Sequence, residues 1–280
     1  MASEQSGDRS GTSARGRVVL VTGASAGIGM ATAARLHRSG WLVTGASRRG
    51  TSSGGWSGMV MDVDSDDSVT AGVRTVLDEH GRLDAIVACA GWGLAGAVEQ
   101  TPIADAKDQL ETNFWGAVRL VQSALPAMRS QGGGRIVLVG SIGGLIGIPF
   151  QAFYSASKFA LEGYGEALAY EVAPFGIDVC LVEPGNISTE FTASRRDVRA
   201  PAGDETYAAV AKKAVEAMER DEANGAPADI VAAAIEKVLR ARHVRRRVTV
   251  GKLEERAGTF AKRLIPYGLF EKAAKSSLGV

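Results

Sequence analysis

Residues 154–158 read Tyr-Ser-Ala-Ser-Lys. Tyr154 and Lys158 are four apart, so on a helix they share one face. A phenol near pKa ~10 is a poor acid–base at neutral pH. A nearby ammonium favours the phenolate and lowers that value. Ser141 follows an apolar run, Arg135–Val139, and could donate a hydrogen bond to a carbonyl oxygen. Taken alone, Tyr-x3-Lys also describes an exposed helix stripe.

A second group lies near the start of the chain. Residues 22–29 read Thr-Gly-Ala-Ser-Ala-Gly-Ile-Gly. Small residues there let backbone N–H groups approach a pyrophosphate, and a following helix adds about half a positive charge at its N-terminus. The loop Gly23, Ser25, Gly27, Ile28, Gly29 is therefore expected to hold a dinucleotide. The same stretch contains Gly23-x-Ser25-x-Gly27, the pattern of a serine hydrolase elbow. No upstream strand supplies an oxyanion loop, and the late histidine, His243, lies in a basic run. About 20 residues past such a loop an acid commonly holds the ribose 2′-OH. Here the chain reads Ala46-Ser47-Arg48-Arg49, without a carboxylate. Guanidinium groups suit a 2′-phosphate, so the expected cofactor is NADP(H). Asp62 is placed to accept from an adenine amino group, or to cap a turn.

These residues need a scaffold. The chain has 280 residues and a formal net charge of +1; hydrophobic residues are 45% and charged residues 22%. A sizeable core is affordable and disorder throughout is excluded. Near-neutral charge gives no reason to expect nucleic acid. Glycine is abundant, at 35 residues, without a collagen period. Two cysteines without CxxC and three dispersed histidines suggest neither a disulfide framework nor a metal site. Residues 1–16 are polar, lack an apolar signal core and are expected to be disordered. A soluble, cytoplasmic protein is the expectation.

Apolar runs at Arg17–Thr22, Trp41–Ala46, Gly58–Met61, Leu83–Ala88, Arg135–Val139 and Ile177–Val182 read as strands, with Val248–Val250 as a last one. Helical spacing fills 27–39, 65–80, 103–129 and 153–172, then 206–220 and 227–241. Strict alternation predicts a doubly wound parallel α/β sheet with its ligand site at the strands' carboxyl ends. The expected organisation is one domain over 17–252, with 186–225 as a substrate flap and 253–280 as a C-terminal helical extension.

Taken together and in order, TGASAGIG, Asn113, Ser141, Tyr154-x3-Lys158 and Pro184-Gly185-Asn186-Ile187-Ser188-Thr189 resemble the short-chain dehydrogenase/reductase family over about residues 17–190. The resemblance implies a Rossmann-type fold and an NADP(H)-dependent oxidoreductase. It implies that Tyr154 exchanges a proton with the substrate oxygen and that Lys158 lowers the tyrosine pKa and binds the nicotinamide ribose. Ser141 would polarise the carbonyl, and Asn113 would hold a water linking Lys158 to solvent. Pro184, Gly185, Ile187 and Thr189 match the segment packing on the nicotinamide, and Asp62-Val63 the adenine site. The family usually has Asn-Asn-Ala-Gly after the fourth strand; this chain has Ala88-Cys89-Ala90-Gly91. Ala90 and Gly91 still allow close cofactor approach, but the lost asparagines remove bonds that tie the sheet.

Ser141-Ile-Gly-Gly, Pro149-Phe150, Phe159-Ala-Leu-Glu-Gly and Val182-Glu-Pro-Gly resemble the 17β-hydroxysteroid and retinol dehydrogenase branch. That branch implies an apolar ketone or secondary alcohol, met by Trp92, Ile142, Phe150, Phe191 and Tyr207, with Leu145 and Ile148 nearby. The extension could cover the pocket, pack on a partner or touch a membrane surface; membrane contact is not the expectation. The family implies a homodimer or homotetramer joined through the helices near 103–129 and 153–172. The competing readings are a non-catalytic NADP-binding or scaffold protein and the serine hydrolase.

Overall fold

The computed structural model describes residues 16–52, 54–198 and 202–278. The expectation of disorder over 1–16 falls almost wholly outside them. Seven strands form one parallel sheet: β1 (Val18–Thr22), β2 (Leu42–Ser47), β3 (Ser57–Val60), β4 (Ala85–Ala88), β5 (Gly134–Val139), β6 (Ile177–Pro184) and β7 (Arg247–Val250). Their order is β3-β2-β1-β4-β5-β6-β7, so the chain reverses direction across the sheet between β1 and β4. Such a switch point leaves a crevice beyond the strand ends.

The central strands are buried on both faces, which explains their unbroken apolar runs. Val18 and Leu20 of β1 pack on one face, Val19 and Val21 on the other. Helices α1 (Gly27–Arg38) and α8 (Ala228–Arg240) cover one face, where Leu36, Ile235 and Leu239 are fully buried. Helices α2 (Asp66–His80), α4 (Gly116–Ser130) and α5 (Ala152–Val172) cover the other through Val76, Leu120 and Leu161. At β1 the register aligns Val19 with Ala85 of β4 and Val43 of β2. The loops after β1 and β4 therefore emerge side by side.

The helix read over 103–129 is not continuous. It divides into α3 (Ile103–Leu110), a π-helical turn at Glu111–Trp115, and α4. The flap holds the short α6 (Phe191–Ser194) and the longer α7 (Ala208–Ala223). Two-residue parallel pairings fasten it, Arg196–Asp197 on Leu94–Ala95 and Ala226–Pro227 on Ile187–Ser188. The extension forms α9 (Leu253–Leu264) and α10 (Tyr267–Leu278). The former packs on the 142–144 turn and the latter on α7, so the extension folds back over the flap side. No helix among the described residues is long and apolar enough to cross a membrane.

Candidate active site

A cleft of about 1200 Å³ opens at the carboxyl ends of β1, β4, β5 and β6. At one end lies the turn from β1 into α1. Gly23 has φ +69°, and a Cβ there would lie 2.9 Å from the Ala90 backbone. A Cβ on Gly29 would lie 2.3 Å from the Gly23 carbonyl oxygen. Both positions need glycine because the β1 and β4 loops and the helix start converge. No side chain caps α1. Its leading N–H groups face the cleft, and the Gly27 N–H donates to Glu190 Oε2 at 3.2 Å. A carboxylate thus occupies a position suited to an anionic ligand. Ser25, Gly27 and Ile28 line the same end.

Arg48 and Arg49 follow β2, are exposed and line the cleft. Asp62 and Val63 also line it, and Asp62 Oδ1 accepts the Asp64 N–H at 3.1 Å. Asp62 is therefore a turn-capping carboxylate at the cleft wall. Ala90 and Gly91 form the floor. Thr22 ties the loop after β4 to β1. Its Oγ1 accepts from the Cys89 N–H at 3.1 Å and the Ala90 N–H at 3.3 Å, joining the β1 and β4 loops. Burial pushes the Cys89 thiol up to about 12, against the pull of the Lys158 charge.

Across the floor, α5 presents Tyr154, Lys158 and Glu162 in one buried stripe. Ser141 leaves β5 and opens a short turn; its Oγ accepts the Gly143 N–H at 3.0 Å. Lys158 Nζ donates to the Val139 carbonyl at 2.9 Å and lies 5.9 Å from the Tyr154 ring centre. Here the expected electrostatics need correcting. Burial pushes the Tyr154 phenol up to about 12; the Ser141 hydroxyl opposes this, the Glu222 charge adds to it and Arg195 opposes it. Burial also pulls Lys158 down to about 8, opposed by Cys89 and Glu162. Lys158 spends its hydrogen bond on a carbonyl instead of the phenol, and Tyr154 keeps its proton at neutral pH.

Asn113 lies in the π-helical turn and is almost wholly buried. Its Oδ1 accepts the Trp92 N–H, and its Nδ2 donates to the Trp92 carbonyl and to Ser157 Oγ, each within 3.1 Å. The side-chain amide therefore clamps the β4 loop to α5. Gln109 donates to the same Trp92 carbonyl at 2.7 Å, a contact that no sequence motif announced.

Pro184 ends β6 and accepts a long 3.5 Å bond from the Ser141 hydroxyl; Gly185, Ile187 and Thr189 continue along the cleft. Of the expected substrate residues, Trp92, Ile142 and Phe191 line the cleft, as does Ile148. The Phe191 ring lies 5.8 Å from that of Tyr154, and the Arg196 guanidinium covers Trp92 at 4.3 Å. Two positions are corrected. Phe150 turns away at a left-handed φ of 59°, with its carbonyl accepting the Gly96 N–H. Tyr207 donates to Glu99 Oε2 at 2.7 Å, outside the cleft. Leu145 is likewise not in the lining; its carbonyl holds Lys262 of α9.

No histidine lines the cleft among the described residues, so Ser25 lacks a histidine base there and the hydrolase reading has no support. The model of the family described as short chain dehydrogenase matches residues 17–200. The chain belongs to the short chain dehydrogenase family. This short chain dehydrogenase is 39% identical to a 3-ketodihydrosphingosine reductase of Bacteroides thetaiotaomicron, over 92% of this chain and 97% of the relative. It is 38% identical to human 17-beta-hydroxysteroid dehydrogenase type 1, over 62% of this chain and 58% of that enzyme. A short-chain dehydrogenase from Streptomyces avermitilis shares the fold at a TM-score of 0.76 and 29% identity, covering 93% of this chain and 97% of its own. The family makes the chain an oxidoreductase with a Rossmann-type parallel sheet.

Sequence reading missed a third group. Glu162 and Glu183 are both buried and share Arg247, whose Nε lies 2.9 Å from Glu162 and 3.5 Å from Glu183. Burial pushes the Glu162 carboxyl up to about 7; Arg247 opposes this and Glu183 adds to it. The signal was present as a third residue at helical spacing after Tyr154 and Lys158. Nothing local told that Arg247, on the last strand, would meet it.

Proposed function

We propose that this short chain dehydrogenase reduces an apolar ketone with NADPH, or oxidises the matching secondary alcohol with NADP. One observation carries the reading: a buried, protonated Tyr154 beside Ser141 faces a cleft whose far end is the uncapped start of α1. The glycine cradle fits a pyrophosphate, because side chains at Gly23 and Gly29 would fill it. Arg48 and Arg49, with no carboxylate at the end of β2, fit a 2′-phosphate. The names of the Bacteroides and human relatives support a ketone–alcohol pair on an apolar frame.

When bound, the dinucleotide supplies the hydride. Tyr154 donates its proton to the carbonyl oxygen as negative charge grows there. The Ser141 hydroxyl turns from Pro184 to donate to the same oxygen. The Lys158 ammonium, held by Val139, adds positive charge beneath the phenol and is positioned for the cofactor ribose. Ile142, Ile148 and Phe191 shield the reacting carbon from water.

The same proposal covers assembly as a homodimer or homotetramer through α4 and α5. Trp115, at the end of the π-helical turn before α4, and Phe159 and Tyr170 of α5 are large and exposed, which supports that reading.

The test follows NADPH consumption against a panel of apolar ketones for wild type and Tyr154→Phe. General-acid loss predicts a fall in kcat of about 100-fold or more with NADPH affinity retained. Equal turnover by both proteins would overturn the assignment. NADPH binding without turnover of any ketone would instead leave a cofactor-binding protein.

A further inference from the structure

The first N–H groups of α1 have no acceptor within the helix, and the N-cap residue, Ala26, has no side-chain oxygen to offer them. An acceptor comes instead from the flap, 163 residues away: Glu190 Oε2 takes the Gly27 N–H at 3.2 Å. Glu190 lines the cleft and has no lysine or arginine partner among the described residues. Its negative charge faces the positive end of the helix.

Glu190 belongs to a tight turn that touches both ends of the cleft. On one side the Thr189 side chain packs on Gly27, where an added Cβ would lie 3.4 Å from it. On the other the Phe191 ring lies 5.8 Å from that of Tyr154. Thr189 Oγ1 accepts the Phe191 N–H at 3.2 Å, and the Glu190 carbonyl accepts the Ser194 N–H at 3.0 Å. These bonds tie the three residues into one unit. A dinucleotide's pyrophosphate carries two negative charges. It and the Glu190 carboxylate cannot both occupy the space in front of the Gly27 N–H. Like charges a few ångströms apart at a wetted surface repel by enough to change an affinity about five- to tenfold.

Resting on the dinucleotide reading, we infer that Glu190 is an internal competitor for the cofactor pyrophosphate. Its carboxylate on Gly27 lowers affinity for the dinucleotide and favours departure of the spent cofactor. Cofactor entry displaces the carboxylate, and through Phe191 the displacement reaches the wall of the substrate pocket.

Equilibrium binding tests this with wild type, Glu190→Gln and Glu190→Ala. The probes are NADPH and adenosine 2′-phosphate, the latter measured by competition with NADPH. NADPH reaches the α1 end of the cleft; adenosine 2′-phosphate carries only the phosphate expected at Arg48 and Arg49. Both variants should bind NADPH about five- to tenfold more tightly and release it more slowly. Their affinity for adenosine 2′-phosphate should stay as in wild type. The gain should shrink as salt rises from about 50 to about 500 mM, because screening weakens the repulsion. An unchanged NADPH Kd with a lowered Tm makes Glu190 a helix cap alone and overturns the inference. Weaker NADPH binding by the variants overturns it too, as does an equal gain for adenosine 2′-phosphate. Should wild type bind NADH but not NADPH, the choice of cofactor fails, and the same comparison with NADH and adenosine decides the role of Glu190. Binding of neither dinucleotide by wild type overturns the dinucleotide reading itself, and this inference with it.

Discussion

Tyr154 and Lys158 are set by opposite responses to the same burial. Desolvation disfavours charge, so it holds the proton on the phenol and loosens it on the ammonium. Near pH 7 both groups are protonated, which suits donation to a carbonyl. Between about pH 7 and 9 only Lys158 changes state, since it titrates near about 8 and Tyr154 near about 12. Ketone reduction should therefore be flat below about pH 7 and decline as pH rises through about 8, where the ammonium is lost. The pH profile of kcat/KM for NADPH, which reports the free enzyme, checks this. An alkaline limb centred at 10 or above would contradict it. The Tyr-x3-Lys spacing was legible in the sequence. The reversed direction of the tyrosine shift was not, because it depends on Val139 capturing Lys158 and on the enclosure of the phenol.

The elements that place these residues were largely legible. Strands β1, β2, β4, β5 and β6 appear as apolar runs because both faces of a parallel sheet are covered, while the edge strand β3 is mostly exposed. The β1 turn appears because only glycine fits where two loops and a helix start converge. The break between α3 and α4 was hidden. A π-helical turn has the same apolar spacing as the helix around it, yet it re-aims Asn113 onto Trp92 and Ser157. The end of β2 carries the second prediction. Arg48 and Arg49 stand where an acid would reject a 2′-phosphate. Charge-assisted bonds contribute roughly 1.5–3 kcal/mol each, so Arg48→Ala with Arg49→Ala should lower the NADPH-over-NADH preference by about 10-fold or more. Parallel kcat/KM measurements with the two cofactors decide this, and an unchanged preference would exclude the arginines from the selection.

At the scale of the whole molecule, distant segments meet at the site. Arg247 on β7 bridges Glu162 on α5 and Glu183 on β6. Glu255 on α9 accepts the Asn186 N–H at 3.1 Å, and Lys262 holds Leu145 at 2.6 Å. The C-terminal extension thus braces the segment after β6 and the turn after Ser141. The buried carboxyl pair predicts a pH effect on stability. Glu162 binds its proton more tightly folded, near about 7, than in the unfolded chain. Its favourable contribution is complete below the unfolded carboxyl value and disappears as pH rises through about 7. Glu162→Gln should remove that dependence, so its Tm relative to wild type should rise on going from pH 5 to pH 8. A constant Tm difference across that range would show that Glu162 does not titrate there.

The sequence by itself determined the alternating α/β architecture, the glycine cradle, the Ser141–Tyr154–Lys158 set and the arginine pair, because each is written in local spacing or in one residue's chemistry. Tertiary structure alone decided the rest. It kept Phe150 and Tyr207 out of the cleft, engaged the Asn113 amide with Trp92, raised the Tyr154 pKa and brought Glu222 to the cleft wall. Those outcomes depend on which distant groups become neighbours and on how much water their packing excludes, and neither quantity is local to any stretch of the chain.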